Sequence, residues 1–450
     1  MSETEALVEL IASTSYDDLP DGAVRKSKEA ILDYAGVALY GSGHEVGEIV
    51  TEYVDECVGE GDTPLLGRDR TGTPAAALAN GAYGHAIDYD DTFESIVLHP
   101  TSPTFAAAYA ASARTEVTGQ DLLAAYAVGI ETAYRIGHGV YPAHYDHGWH
   151  ITGTVGTFGS AAAAASVLDL TATEVRHALG IAASSSSSLK KNFGSMTKPL
   201  HAGHAAQSGV RAALLAAKGF TADPDIFEGD LGYGSVMTPD GTYDSEILRS
   251  GIDDRWGVMD IGYKPYPSGV ITHAAMDAMR ELVEDHGLTP DEVDTVVATL
   301  DDAASEMLHH TNPENELQAK FSIEFCLAAV LRERDVGIHE FTDEYVADPA
   351  TRRAMAVVER DFEPNLFEAD FANYGARVTV LTNDGRELTA SEKYAPGSPN
   401  NPLSRERLEA KFRECASTVL DESAVDEAAA AIGSLEEPGA LERFTEATTE

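Results

Sequence analysis

Three cysteines in 450 residues, Cys57, Cys326 and Cys415, lie far apart with no CxxC pair. Iron–sulfur clusters and structural zinc sites need closely spaced thiolates, so neither is expected, and each cysteine reads as a small core residue. Basic residues are also scarce, with 31 Lys and Arg against 75 Asp and Glu, and the longest basic run is Lys190-Lys191. Nucleic acid and anionic membrane surfaces demand clustered cations, so neither is an expected partner. No apolar run approaches the ~18 residues of a membrane span. The start, MSETEALVELIASTS, carries acids where a secretory signal carries a basic segment. The expected location is the cytoplasm. There is no internal repeat, and Ser184–Ser188 is the only low-complexity run.

The acids are distributed along the whole chain, giving a formal net charge of -44. Such a surface repels itself at low ionic strength and becomes tolerable when salt shortens the Debye length to about 3 Å at 1 M. A halophile's cytoplasm is therefore expected. A disordered acidic chain is the alternative, but 43% hydrophobic content with 18 Tyr and 14 Phe suffices for a packed core.

One core usually serves no more than about 250–300 residues, so two domains are expected. Over 1–261 Ala, Leu and Gly recur at helical spacing, with helix starts at Thr118-Gly-Gln-Asp121 and Thr171-Ala-Thr-Glu174. Leu122, Leu123, Tyr126, Ile130, Ala133 and Tyr134 then share one helical face. After Lys264-Pro-Tyr-Pro267 the texture changes: a helix near 273–286, a β-branched run over 293–300, and a hairpin whose two arms flank Asn383-Asp-Gly385. The fold class is mainly α: a large all-α domain over 1–261, completed by 394–450 through Leu408, Phe412 and Leu420, and a smaller α+β domain over 262–393.

The chemistry-bearing residues are Asp88, Asp90, Asp91, Thr92, His99, His150 and Lys198. They supply the acids, bases and cation that proton chemistry on an anionic substrate requires. An acidic cluster in so acidic a chain is ordinarily solvated surface, but the flanking Gly81-Ala-Tyr-Gly-His-Ala-Ile87 is apolar. An EF-hand is disfavoured, since glycine and glutamate are missing at its sixth and twelfth positions. His147 and His150 alone make a weak metal pair. Ile151-Thr-Gly-Thr-Val-Gly156 reads as a turn opening a helix whose N–H groups hold a carboxylate. Lys198 precedes a proline, which predicts an extended or turn conformation, and its Met, Pro and Leu neighbours suit an anchor for a substrate carboxylate.

Taken together, several segments resemble the MmgE/PrpD family over nearly the full length. They are HAIDYDDT with His99-Pro100, GWHITGTVGTFGSAAAAA at 148–165, ALGIAASSSS, FGSMTKPLHAG at 193–203, KGFTADPDIFEG at 218–229, KPYPSGVITHAAMDA at 264–278, KFSIEFCLAAVL at 320–331 and SPNNPLSRERLEAKF at 398–412. The resemblance implies a helical domain, a smaller α+β lid, a homodimer, and a lyase that uses no metal or other cofactor. It implies active-site roles for Asp88, Thr92, His99, His150 and Lys198, with Lys264 adding a cation and His273 at a more general family position. The family's cis-aconitate decarboxylases carry a histidine shortly after a Lys-x-Phe-Pro sequence, where this chain has Ser268-Gly269 after Lys264-Pro-Tyr-Pro267. That departure points away from itaconate formation.

The expected reaction is dehydration of a 2-methylcitrate-like tricarboxylate. His99 transfers the proton with Asp88 as its partner, Thr92 donates a hydrogen bond, and His150 and Lys198 bind carboxylates. An epimerase, isomerase or decarboxylase acting through the same α-proton transfer is the alternative, and a non-catalytic binding protein is a third reading.

Overall fold

A computed structural model describes residues 1–57, 61–239, 242–249, 255–302, 304, 307–368 and 374–449. The fold is mainly α with a small mixed sheet. The first unit, 1–261 with 405–450, is built around α1 (Asp21–Gly43), α2 (Thr73–His85), α3 (Thr101–Ser112), α4 (Gly119–Val140), α5 (Ile151–Val167) and α6 (Thr197–Ala216). At the start of α4 the Thr118 hydroxyl accepts from Asp121 N while the Asp121 carboxylate accepts from Thr118 N. Thr171 and Glu174 repeat the arrangement at the helix Ala172–Ala183. Each box satisfies two otherwise orphaned donors, worth about 1 kcal/mol.

The expected apolar face of α4 is broader than a stripe, because Ala124, Ala125, Ala127, Val128 and Gly129 are buried as well. In α5 every residue except Ser166 is buried, the mark of a central helix. Small residues permit this. A Cβ on Gly129 would lie 2.7 Å from the Gly159 carbonyl, and one on Gly81 would lie 2.9 Å from Gly203 Cα. The backbones of α4 and α5, and of α2 and α6, therefore cross in contact. The second crossing draws the end of α2, which carries His85, beside the start of α6, which carries Lys198.

The second unit, 262–404, contains α7 (His273–His286), β1 (Val293–Asp301), α8 (Ile323–Glu333), β2 (Val358–Glu363), β3 (Ala376–Thr382) and β4 (Glu387–Glu392). The sheet order is β2-β1-β3-β4, with β1 and β2 parallel and the other pairs antiparallel. Met276, Met279 and Val283 of α7 share one core with Val296, Val378 and Val380. The hairpin forms as the sequence predicts, with Gly385 at φ 88° supplying the left-handed residue. Residues 394–404, expected with the helical part, lie in this second unit, where Tyr263 N donates to Gly397 O at 2.9 Å. Cys326 and Cys415 are buried as expected, but Cys57 is exposed at the end of its helix. Among the described residues no helix is long and apolar enough to cross a membrane.

The chain returns to the first unit through α9 (Arg405–Ala416), which packs on α1 closely enough that a Cβ on Gly36 would lie 2.9 Å from Phe412 Cα. Lys411 Nζ is 2.6 Å from Asp33 Oδ1 on α1 and donates at 2.7 Å to the Tyr89 carbonyl. Its ammonium also stands 3.9 Å from the Tyr89 ring centroid. Burial pushes the Asp33 carboxyl up, and the Lys411 charge opposes that shift. Lys411→Met leaves Asp33 buried without its cation and is expected to cost about 3–5 kcal/mol, whereas Asp33→Leu/Lys411→Met recovers most of the loss. Urea unfolding in molar KCl measures both, and an unchanged midpoint for the single variant contradicts this account.

Candidate active site

Between α2 and α3 the chain turns through Ala86–Pro100. Asp88 adopts φ 57°, a left-handed conformation that aspartate tolerates. The acidic run is not a solvated face: Asp88, Asp90, Asp91, Thr92 and Glu94 are each at most 7% exposed. Phe93 N donates to Leu98 O at 2.7 Å, closing a tight loop in which Val97 sits at φ 54°. A β-branched residue there stores strain on the order of 1–3 kcal/mol. Asp91 caps α3, accepting from Thr101 N at 3.2 Å and from the Thr101 hydroxyl. Burial nevertheless drives the Asp91 carboxyl well above the usual carboxylate range, and the Asp33 and Asp90 charges add to the shift.

Lys198 Nζ donates to Asp88 Oδ2 at 2.7 Å, both side chains buried. His99 Nε2 is 3.7 Å from Asp88 Oδ1, and His99 Nδ1 is 2.9 Å from the Asp91 carbonyl. A carbonyl only accepts, so Nδ1 carries a proton and Nε2 is the ring's exchangeable position. The backbone of His99 is fixed by donation to Thr152 Oγ1 at 3.1 Å. His150 is within hydrogen-bond reach of His201, their Nδ1 atoms 2.9 Å apart. Burial holds the His150 imidazole well below its ordinary value, and His85, Lys198, His201 and His99 push the same way. Burial likewise lowers His201 to about 4. Both rings are neutral near pH 7.

Of the residues expected from sequence, Asp88, His99, His150 and Lys198 thus converge. Thr92 lies in the same loop, with no hydrogen-bond partner for its hydroxyl among the described residues. Lys264 and His273 belong to the second unit, both buried, with His273 Nε2 3.2 Å from the Ser268 carbonyl.

Two local expectations change. Residues 151–156 are not a turn but the first turns of α5, with His150 as N-cap, held by donation of its N–H to Ser188 O at 3.0 Å. Lys198, expected in an extended or turn conformation, occupies the first turn of α6, where Pro199 costs no intrahelical hydrogen bond. His147 is exposed and apart from the buried His150.

His85 and His201 were not among the expected site residues. Their signal was spacing: His201 follows Lys198 by three residues on one helix face, and His85 ends α2 immediately before the acidic run. Ligand atoms of His85, Asp88, Asp90 and His99 lie within 4.8 Å of one another. The set does not suit a resident metal ion. Asp88 already pairs with the Lys198 ammonium, and Asp90 is engaged by His85 at 2.9 Å and by Ser102 Oγ at 2.6 Å. A dication here would sit against a buried ammonium.

Glu94, on the same loop, has its carboxyl pushed up to about 8 from 4.5 by burial. A folded value above the unfolded one gives stability that is complete below pH 4.5 and declines as pH rises to about 8. Glu94→Gln removes that dependence. Its stability relative to wild type is expected to climb across this window by a few kcal/mol and then level off. Urea midpoints measured against pH check this, and a pH-independent difference contradicts it.

Residues 5–246 match the MmgE/PrpD N-terminal domain and residues 266–437 the MmgE/PrpD C-terminal domain. The chain is 30% identical to a cis-aconitate decarboxylase of Mus musculus, covering 97% of this chain and 91% of that protein. It is 29% identical to the Homo sapiens enzyme of the same name, with 97% and 92% covered. With the Aspergillus terreus cis-aconitate decarboxylase it shares 25% identity, with 94% and 91% covered. Both matching domains and the full-length similarity lead to one assignment: the chain belongs to the MmgE/PrpD family.

Proposed function

We propose that the chain is a lyase acting on a tricarboxylate, dehydrating a 2-methylcitrate-like substrate by acid–base chemistry. The observation that carries this reading is the buried Asp88–Lys198 pair beside His99. In the proposed step His99 Nε2 takes the proton α to a carboxylate, the C–H electrons form the C=C bond, and the C–O bond breaks as a protonated donor delivers its proton to the departing hydroxyl. Lys198 shifts from Asp88 to a substrate carboxylate, and His150 donates to the developing aci-carboxylate. Thr92 adds a hydrogen bond. The resemblance also supports a homodimer and a reaction without metal, so turnover should persist in chelator.

Decarboxylation of cis-aconitate is the second reading, favoured by the names of the relatives. The same cations would hold the retained carboxylates while the C–CO2 bond breaks and a protonated side chain delivers a proton to carbon. Against it stands a departure in the sequence, Ser268-Gly269 where the resemblance to the family's decarboxylases implies a histidine. Ser268 Oγ is bonded to Thr272 Oγ1 at 2.9 Å, and a Cβ on Gly269 would meet the Phe321 ring at 3.1 Å. A histidine at Gly269 would need that ring to move.

The experiment incubates purified protein in molar KCl with 2-methylcitrate, citrate and cis-aconitate in parallel, reading product mass. Loss of water from 2-methylcitrate is expected, with kcat/KM lowered about 10²–10⁴-fold in folded His99→Ala. Loss of CO2 from cis-aconitate alone would establish the second reading. No turnover of any of the three would sink both, and solvent deuterium entering recovered substrate would then identify an epimerase.

A further inference from the structure

We propose that His85 is a positioning residue for His99, holding the Asp90 carboxylate so that it does not capture the His99 imidazole. The proposal rests on His99 being the proton carrier. His85 ends α2, is 1% exposed, and no step of the reaction above uses it.

Asp90 is wholly buried, and a buried carboxylate keeps its charge only if donors surround it. Two imidazoles compete for Oδ1: His85 Nδ1 at 2.9 Å and His99 Nδ1 at 3.4 Å. His85 also reaches Oδ2 at 3.0 Å, where Ser102 Oγ donates at 2.6 Å. The His85 contact is thus the shorter and spans both oxygens. That leaves the His99 Nδ1–H on the Asp91 backbone carbonyl at 2.9 Å, a neutral acceptor that fixes the tautomer without attracting a second proton to the ring. If Asp90 turned to His99, the two would form an aspartate–histidine dyad, and the added negative charge would raise the proton affinity of His99.

His85 also has an unsatisfied end. Its Nε2 is buried with no hydrogen-bond partner among the described residues, whereas buried histidines kept for structure ordinarily satisfy both nitrogens. The ring lies 4.6 Å from His99 and stacks on His150 with centroids 6.0 Å apart. The charged and titratable groups around His99 are therefore Asp88, Asp90 and Asp91 of the loop, His85 of α2, His150 before α5, and Lys198 and His201 of α6. Within that set His85 pairs with Asp90, the carboxylate that stands 3.4 Å from His99 Nδ1.

The test follows His99 by NMR of histidine-labelled protein, without substrate, alongside the pH profile of kcat/KM. In His85→Ala the donor on Asp90 is lost, so the His99 titration is expected to move upward by about 1 unit, and the limb it governs moves with it. His85→Asn places an amide N–H near the former Nδ1 and is expected to restore both. A His99 titration that stays put or falls in His85→Ala overturns the proposal, as does a His85→Asn variant that behaves like the alanine. Should His85→Ala not fold, Ser102→Ala removes the other donor on Asp90, and an upward shift there is required in its place. Because the titration needs no substrate, an upward shift in a protein that turns over no tricarboxylate would fail the functional reading and leave the positioning role standing.

Discussion

A carboxylate and an ammonium 2.7 Å apart, as Asp88 and Lys198 are, persist inside a protein only when each keeps the other. Taking either ion out of water costs several kcal/mol, and only close pairing offsets it. Much of the first unit can be understood from that requirement. The Gly81–Gly203 crossing lets α2 and α6 approach until the two ends meet, and the left-handed Asp88 turns its carboxylate toward the lysine. Lys411 then fixes the Tyr89 carbonyl from behind.

The consequence for chemistry is a buried cluster in which one ammonium and several imidazoles face the Asp88 and Asp90 carboxylates. Burial holds His150 and His201 below the ordinary imidazole value, and His85 and Lys198 push both the same way, while His99 stands between two carboxylates. A multiply anionic ligand at such a cluster would meet the Lys198 ammonium and imidazoles that burial keeps neutral until the ligand's charge arrives. In a chain with a formal charge of -44, cationic character at the site is expected to arise on binding. The same low polarity strengthens each hydrogen bond made to the developing charge.

Local signals were legible in the sequence because local bonds make them. The boxes at Thr118 and Thr171 and the Gly385 hairpin need only neighbours a few residues away. The helical core and the α+β second unit followed from periodicity in the same way. What the sequence hid depends on distant partners. Asp90 and Asp91 look like solvated acids until Ser102, Thr101 and His85 are placed around them. The first turns of α5 read as a turn opening a helix because glycine there serves packing: a Cβ on Gly153 would meet Ser188 and His201. Lys198 read as extended or in a turn because the residue before a proline usually is, yet the first helical turn is the place where a proline fits. The pairing of His201 with His150 joins two helices, so neither segment alone could show it.

Proton-linked calorimetry tests the central claim most directly. Tricarballylate, a tricarboxylate with neither hydroxyl nor double bond, would be titrated into the protein near pH 7 in buffers of different ionisation heat. Imidazoles held neutral by burial should be protonated by the arriving anion, giving uptake of about one proton per site and heats that vary with the buffer. Heats independent of buffer, or no binding at all, would contradict a pocket that becomes cationic as its ligand enters.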